Sequence, residues 1–95
     1  MALFVALGKA TDEGKRHLDG LEGRHQAAVK KAEAAGAKIV GSYALLGPWD
    51  YMVILDCPDQ TTALKILAKE ASGGNVVYET FAAVPMAEFA KAMAE

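Results

Sequence analysis

The sequence has little of several features that mark particular protein classes. Its only cysteine, Cys57, cannot form a disulfide within the chain and is interpreted as a small apolar strand residue. Ten basic residues against twelve acidic ones give a net charge of -2, which lacks the dense positive charge that binding to nucleic acid requires. These shortages argue against a disulfide-stapled secreted domain and against a nucleic-acid-binding protein.

Long apolar runs are also missing. No stretch approaches the roughly 18 apolar residues that a membrane-spanning helix needs. Residues 1–7 are apolar, but they lack the basic start and the cleavage-site pattern of a secretion signal, so we interpret them as part of a strand. We therefore expect a cytoplasmic protein that contacts no membrane.

The length of the chain limits its organisation. Its 95 residues are enough for one domain and leave no room for a second core. A domain of this size buries a modest share of its surface, so without disulfides it often gains stability from another subunit. We expect residues 1–95 to form a single domain that associates with itself as a dimer or higher oligomer.

Apolar and β-branched runs bounded by glycine and proline predict four strands. These strands cover residues 2–8, 38–46, 49–57 and 76–84. Gly47-Pro48 predicts a hairpin between the second strand and the third. Residues 9–21 are rich in glycine and are predicted to form a loop with one short helical turn.

Three stretches have the composition and the three- and four-residue apolar spacing of helices. The first covers residues 22–35. The second follows a cap at Asp59 or Thr61 and ends before Gly73, and the third follows Pro85. The apolar edge of this last helix consists of Met86, Phe89 and Met93.

The order β-α-β-β-α-β with a tail helix predicts an α+β, ferredoxin-like fold. Two right-handed crossovers place both helices on one face of a four-stranded antiparallel sheet. Strict alternation in the second strand would place Ile39, Gly41, Tyr43 and Leu45 on one face and Val40, Ser42, Ala44 and Leu46 on the other. Both faces are then apolar, so we expect the uncovered face to pack on a second copy in a dimeric α/β barrel.

Five segments make the sequence similar to a known family. They are Thr11-Asp12-Glu13-Gly14, the basic helix opening at Arg24, Gly47-Pro48-Trp49-Asp50, Asp56-Cys57-Pro58-Asp59 and Gly74-Asn75-Val76-Val77-Tyr78-Glu79-Thr80. Over nearly the whole chain the pattern resembles the GYD domain family, although Trp49 stands where the family's motif has tyrosine. The resemblance implies a fold that also includes small cofactor-free or haem-handling oxygenases, and fold alone does not set function.

Six residues are candidates for a ligand-binding site, while catalytic residues remain unassigned. They are His25, Tyr43, Trp49, Asp50, Tyr78 and Glu79. The alternative favoured for Asp50 is that it accepts backbone N–H groups at its turn. Glu79 interrupts an apolar strand and must lie at an open edge or meet a partner, for which Arg24 is one candidate.

No metal or cofactor is expected. His17 with Asp19 and Glu22 matches no compact spacing of metal ligands. Neither a Ser-His-Asp order nor a Cys-His order with supporting context is present, so hydrolytic nucleophile chemistry is unsupported.

The residues leave three hypotheses for function open. In the first, a self-associating module binds a small molecule between its helices and its sheet. In the second, an oxygenase-like enzyme uses His25 as a base or axial ligand, oriented by Asp50 or Glu79. In the third, the chain is a structural or interaction module with no ligand.

Overall fold

The computed structural model describes all of residues 1–95 and contains four strands, four α-helices and one 3₁₀ turn. In chain order the elements are β1 (Ala2–Ala10), α1 (Asp12–Arg16), the 3₁₀ turn (Leu18–Gly20), α2 (Leu21–Ala34), β2 (Lys38–Ala44), β3 (Tyr51–Cys57), α3 (Gln60–Ala71), β4 (Val76–Ala83) and α4 (Met86–Met93). The predicted order is confirmed, and the predicted helical turn within residues 9–21 is present as α1.

Short side-chain contacts set where the helices begin and end. Asp59 caps α3, because its carboxylate accepts the N–H of Thr62 at 2.7 Å. Thr11 caps α1 in the same way and accepts the N–H of Gly14 at 3.0 Å. Gly36 follows α2 with a φ of 81°, a left-handed conformation that glycine adopts without steric strain. The predicted glycine stop after this helix is confirmed.

The four strands form one sheet in the order β2-β3-β1-β4, and every neighbouring pair is antiparallel. In β1, one of the two central strands, Ala6 is paired with Val53 of β3 on one side and with Thr80 of β4 on the other. The protein therefore has the predicted α+β, ferredoxin-like fold, with α4 appended after the last strand.

A β-bulge corrects the predicted faces of β2. Ile39 is paired with Leu55, but the register then shifts, and Ser42 is paired with Val53. Because Leu55 and Val53 lie on the same face of β3, Ile39 and Ser42 also share a face. Strict alternation had placed them on opposite faces, and the extra residue of the bulge explains the difference.

The core lies between the sheet and helices α2 and α3. Its nine buried residues are Phe4, Ala6, Ala32, Ala37, Leu55, Cys57, Ala63, Ile66 and Leu67. Cys57 is a free thiol, completely buried, and burial raises its pKa above the usual value. The predicted role of Cys57 as a small apolar strand residue is confirmed.

The face of the sheet opposite α2 and α3 is apolar as well. This open sheet face carries Leu3, Val5, Leu7, Met52, Ile54, Val77 and Phe81. Phe81 is 45% exposed and Val77 is 60% exposed. The apolar side chains of α4 are also uncovered, with Phe89 at 52%. No helix of the structure has the length and apolar character needed to cross a membrane.

Candidate functional site: a cavity between the helices and the sheet

A cavity of about 600 Å³ lies between the sheet and the two helices that cover it. It is found where β1 ends, beneath the first half of α2 and the last half of α3. Ala27 and Ala28 line it from α2, and side chains this short leave space above the sheet. The volume is in the range of pockets that hold small organic molecules. Its apolar walls are formed by Ile39, Val53, Leu55, Ile66 and Leu67.

Two tyrosines flank the end of β1 on the cavity side of the sheet. Gly8 is paired with Tyr51 on β3 and with Tyr78 on β4, and both tyrosines line the cavity. A Cβ atom at Gly8 would lie 2.9 Å from Cε1 of Tyr78. The ring of Tyr78 therefore lies close against the β1 backbone, an approach that the absence of a side chain at Gly8 makes possible.

The chemistry of Tyr78 is that of a persistent hydroxyl donor. Burial, with smaller effects from Glu70 and Tyr51, raises the pKa of the Tyr78 phenol above its usual value near 10. The phenol is therefore protonated throughout the physiological pH range. Neither tyrosine hydroxyl has a hydrogen-bond partner within the chain.

Ser42 supplies a third hydroxyl without a partner. The β-bulge turns its side chain to the cavity face, where its Oγ atom is inaccessible to solvent and makes no hydrogen bond. A buried hydroxyl left unpaired is unfavourable by about 1–3 kcal/mol. Because no solvent reaches this atom, it lies behind the surface of the cavity and offers no contact to a bound molecule.

Charged side chains line the cavity from both helices. Arg24 and Lys31 on α2 face it, as do Lys69 and Glu70 on α3. Arg24 donates through one Nη atom to the backbone oxygen of His17, 2.7 Å away. Arg24 therefore contacts this backbone oxygen and does not form an ion pair with Glu79, for which it was a candidate partner.

Two of the six candidate residues meet at the cavity. His25 lines it from α2, and Tyr78 lines its β4 side. Tyr43 borders the β2 edge of the cavity, but its pairing with Met52 places its ring on the open sheet face. Tyr43 is 53% exposed, and its ring lies close to Gly41 on the same strand.

The other three candidates lie elsewhere. Asp50 accepts the N–H of Ala10 at 2.8 Å, as a residue that satisfies backbone donors would. Trp49 is stacked beneath the ammonium of Lys9, which lies 5.4 Å from the ring centroid. Glu79 is exposed on the opposite face of the sheet, across from Leu7.

The arrangement that the enzyme hypothesis required is not present. No hydrogen bond or ion pair joins His25 to Asp50 or Glu79. The chain also contains no group of three or more His, Cys, Asp or Glu side chains arranged to hold a metal ion. His17 instead contacts Glu13, at 2.9 Å.

Ser42, Tyr51 and Lys31 line the cavity but were not among the residues predicted from the sequence. The bulge that turns Ser42 inward leaves no local signal, because nothing in residues 38–44 marks an extra residue. Tyr51 was detectable, since it precedes Val53 and Leu55 at the two-residue spacing of the core face.

Comparison with known proteins identifies the family. A model of the GYD domain matches residues 4–93. The chain belongs to the GYD domain family. This GYD domain is 30% identical over 89 residues to a protein of Thermus thermophilus named "Glutamine synthetase and cystathionine beta-lyase binding protein". The alignment covers 93% of this chain and 94% of that relative. No solved structure is a significant match.

Proposed function

We propose that residues 1–95 act as one GYD-like domain of the cytoplasm that associates with itself and binds a small organic molecule between its helices and its sheet. The observation that carries this proposal is the cavity of about 600 Å³, lined by Tyr51 and Tyr78, whose hydroxyls have no partner within the chain. The candidate site is formed by His25, Tyr51 and Tyr78.

The balance of surfaces in the cavity supports a ligand rather than water alone. Thirteen of its 22 lining residues are hydrophobic, and a few hydroxyl and charged groups are spaced among them. Sites for small molecules combine such apolar walls with a small number of polar groups that fix orientation. A ligand would cover apolar surface and could give the hydroxyls of Tyr51 and Tyr78 partners, and both effects favour binding.

The open sheet face supports self-association. Its apolar side chains come from three strands, and α2 and α3 both lie on the other side of the sheet. Two copies related by a two-fold axis would place identical apolar faces together. This arrangement is the dimeric α/β barrel expected from the sequence, and it leaves both cavities on the outer sides of the dimer.

Filling the cavity tests the ligand-binding proposal. The variant Ala28→Phe places a ring in the cavity, whereas Ala34→Phe adds the same ring at an exposed position of α2 that does not line it. In native mass spectrometry after gentle purification, we expect wild type and Ala34→Phe to retain the same small-molecule adduct. Ala28→Phe should lose it, because the ring occupies the ligand's volume.

A neutral probe extends this test to a ligand that is lost during purification. Fluorescence titration with N-phenyl-1-naphthylamine should give binding to wild type and Ala34→Phe, weakened at least about tenfold in Ala28→Phe. Binding that is equal in all three proteins would place the probe outside the cavity. That result, or no binding and no adduct in any of them, would contradict the proposal.

A second candidate function is the binding of other proteins, which the name of the Thermus thermophilus relative favours. In this chain α4 offers a surface for it, since Met86, Phe89 and Met93 are 75%, 52% and 69% exposed. Aromatic and methionine side chains are typical of interface centres. We expect the chain to co-elute with glutamine synthetase or cystathionine beta-lyase in size-exclusion chromatography.

The contribution of α4 to such binding can be separated from non-specific hydrophobic association. Phe89→Ser should abolish co-elution, whereas Leu46→Ser removes another exposed apolar side chain, located outside α4, and should leave co-elution unchanged. Absence of a complex with either enzyme would remove this second function, and loss in both variants would remove the role of α4.

A further inference from the structure

We propose that the ligand of the cavity is a neutral carbonyl compound with an apolar body, and that its carbonyl oxygen accepts hydrogen bonds from the hydroxyls of Tyr51 and Tyr78. This inference rests on the proposed ligand-binding function and names the chemical class of the ligand. It follows from the position of the two tyrosines around Gly8 and from the lack of charge on the strands that line the cavity.

The two tyrosines lie on either side of one glycine. Gly8 is paired with Tyr51 and with Tyr78, so both rings extend from the same face of the sheet. Neighbouring strands are about 4.8 Å apart, which places the backbones of the two tyrosines about 10 Å apart with no side chain between them. A Cβ atom at Gly8 would lie 2.9 Å from Cε1 and 3.1 Å from Cδ1 of Tyr78. The Tyr78 ring therefore leans over β1, toward the strand that carries Tyr51.

The electrostatics of the two phenols agree with this geometry. Burial is the main cause of the raised pKa of Tyr78, and Glu70 and Tyr51 add to it. An effect of Tyr51 on Tyr78 requires the two phenol groups to lie close enough for their charges to interact. The hydroxyls of Tyr51 and Tyr78 therefore belong to one part of the cavity.

Both hydroxyls have a proton to donate. Neither makes a hydrogen bond within the chain, and the nearby Glu70 does not accept one from Tyr78. A carbonyl oxygen has two lone pairs and no proton, so one such atom accepts from both phenols at once. A ligand with this group would satisfy two donors with a single polar atom and leave the rest of its surface apolar.

The sheet side of the cavity disfavours a charged group. Every ionised side chain that lines the cavity comes from a helix, and none comes from a strand. Glu22, Lys31 and Lys69 among them are exposed to solvent. A charged group placed on the sheet would lose its hydration without gaining an ionic partner there, whereas a neutral carbonyl loses less. The carbonyl compound is therefore neutral.

Three probes with the same diphenyl body test the class of ligand. They are benzophenone, diphenylmethane and diphenylacetate, which carry a ketone, no polar group and a carboxylate. Their affinities are measured by displacement of N-phenyl-1-naphthylamine from the wild type. We expect diphenylacetate to bind at least about tenfold more weakly than benzophenone, because its charge must be desolvated.

Three tyrosine variants separate the hydroxyls from the rings. Tyr51→Phe and Tyr78→Phe should each weaken benzophenone about fivefold, the usual effect of one neutral hydrogen bond, and leave diphenylmethane unchanged. Tyr43→Phe removes the same hydroxyl from a ring on the open sheet face, so it should affect neither probe. All three variants keep the ring and are expected to fold.

Infrared spectroscopy observes the hydrogen bonds directly. Benzophenone labelled with ¹³C at its carbonyl should show a lower stretching frequency when bound than in an apolar solvent, since hydrogen bonds weaken the C=O bond. Tyr51→Phe and Tyr78→Phe should each raise this frequency, and Tyr43→Phe should not.

The outcomes separate this inference from the function on which it rests. If Tyr51→Phe and Tyr78→Phe leave benzophenone unaffected while Ala28→Phe abolishes its binding, the cavity binds ligands without these hydroxyls and the inference alone is wrong. Equal weakening of diphenylmethane and benzophenone, or tighter binding of diphenylacetate than of benzophenone, would also overturn it. If no probe binds to the wild type, both the inference and the ligand-binding function fail.

Discussion

Replacing Gly14 with alanine is expected to lower the free energy of unfolding by about 3 kcal/mol. A Cβ atom there would lie 2.0 Å from the backbone oxygen of Asn75, and a backbone atom cannot move aside as a side chain can. The same corner is held by Thr11, whose N–H donates to the Asn75 oxygen at 3.1 Å and whose hydroxyl donates to the Gly74 oxygen. Relieving the clash therefore breaks these contacts as well.

Gly23→Ala is the matched control for this prediction. No atom lies within 4 Å of a Cβ added at Gly23, which is in α2, so alanine should raise stability by up to about 1 kcal/mol. Urea denaturation followed by circular dichroism measures the free energy of unfolding of both variants. In thermal denaturation, the melting temperature of Gly14→Ala should fall by roughly 15 °C. Equal stability of Gly14→Ala and wild type would mean that the corner between β1 and the α3–β4 loop is not packed as described.

Replacing Ile54 with lysine is expected to convert the proposed dimer to a monomer, with self-association weakened at least about 100-fold. Ile54 lies near the centre of the open sheet face, paired with Val5 on one side and Gly41 on the other. In a two-fold interface the substitution would occur twice, and two ammonium groups would lose water without gaining a partner.

Sedimentation equilibrium at micromolar concentration tests this expectation. Leu46→Lys introduces the same charge at a fully exposed apolar residue outside the sheet, so its mass should equal that of the wild type. Phe81→Lys, at a residue already 45% exposed, repeats the test with less risk to folding. A monomeric wild type, or a dimer that survives both Ile54→Lys and Phe81→Lys, would rule out this face as the interface.

Much of the fold could be predicted because its signals are local. Gly36 and the Asp59 cap mark helix ends through contacts within a few residues, and the β-branched run of 76–83 favours a strand by itself. The predicted second strand extended to Leu46, but it ends at Ala44. Apolar character alone does not maintain a strand where no neighbouring strand continues the pairing, and Leu46 is fully exposed.

The candidate site was predicted less completely, for a different reason. His25 and Tyr78 were recovered because each lies on an element whose periodicity shows which face meets the core. Glu79 was chosen for its unusual setting in an apolar strand, yet a residue next to Tyr78 in a strand must face the opposite way. Trp49 and Asp50 form a distinctive motif, but the Trp49 ring stacks with the ammonium of Lys9 and Asp50 accepts the N–H of Ala10.

The amino-acid sequence alone determined the order of elements, the ferredoxin-like fold, the apolar character of both sheet faces and the membership of the GYD domain family. The first three follow from composition and short-range periodicity, which act through neighbours along the chain, and the family membership follows from the match over residues 4–93. Only the tertiary structure decided that Ser42 shares a face with Ile39, that Gly8 lies between two tyrosines and that Lys31 lines the cavity while Lys30 does not. Those arrangements depend on strand register, on one bulge and on how α2 packs over the sheet, and each is set by contacts between residues distant in sequence.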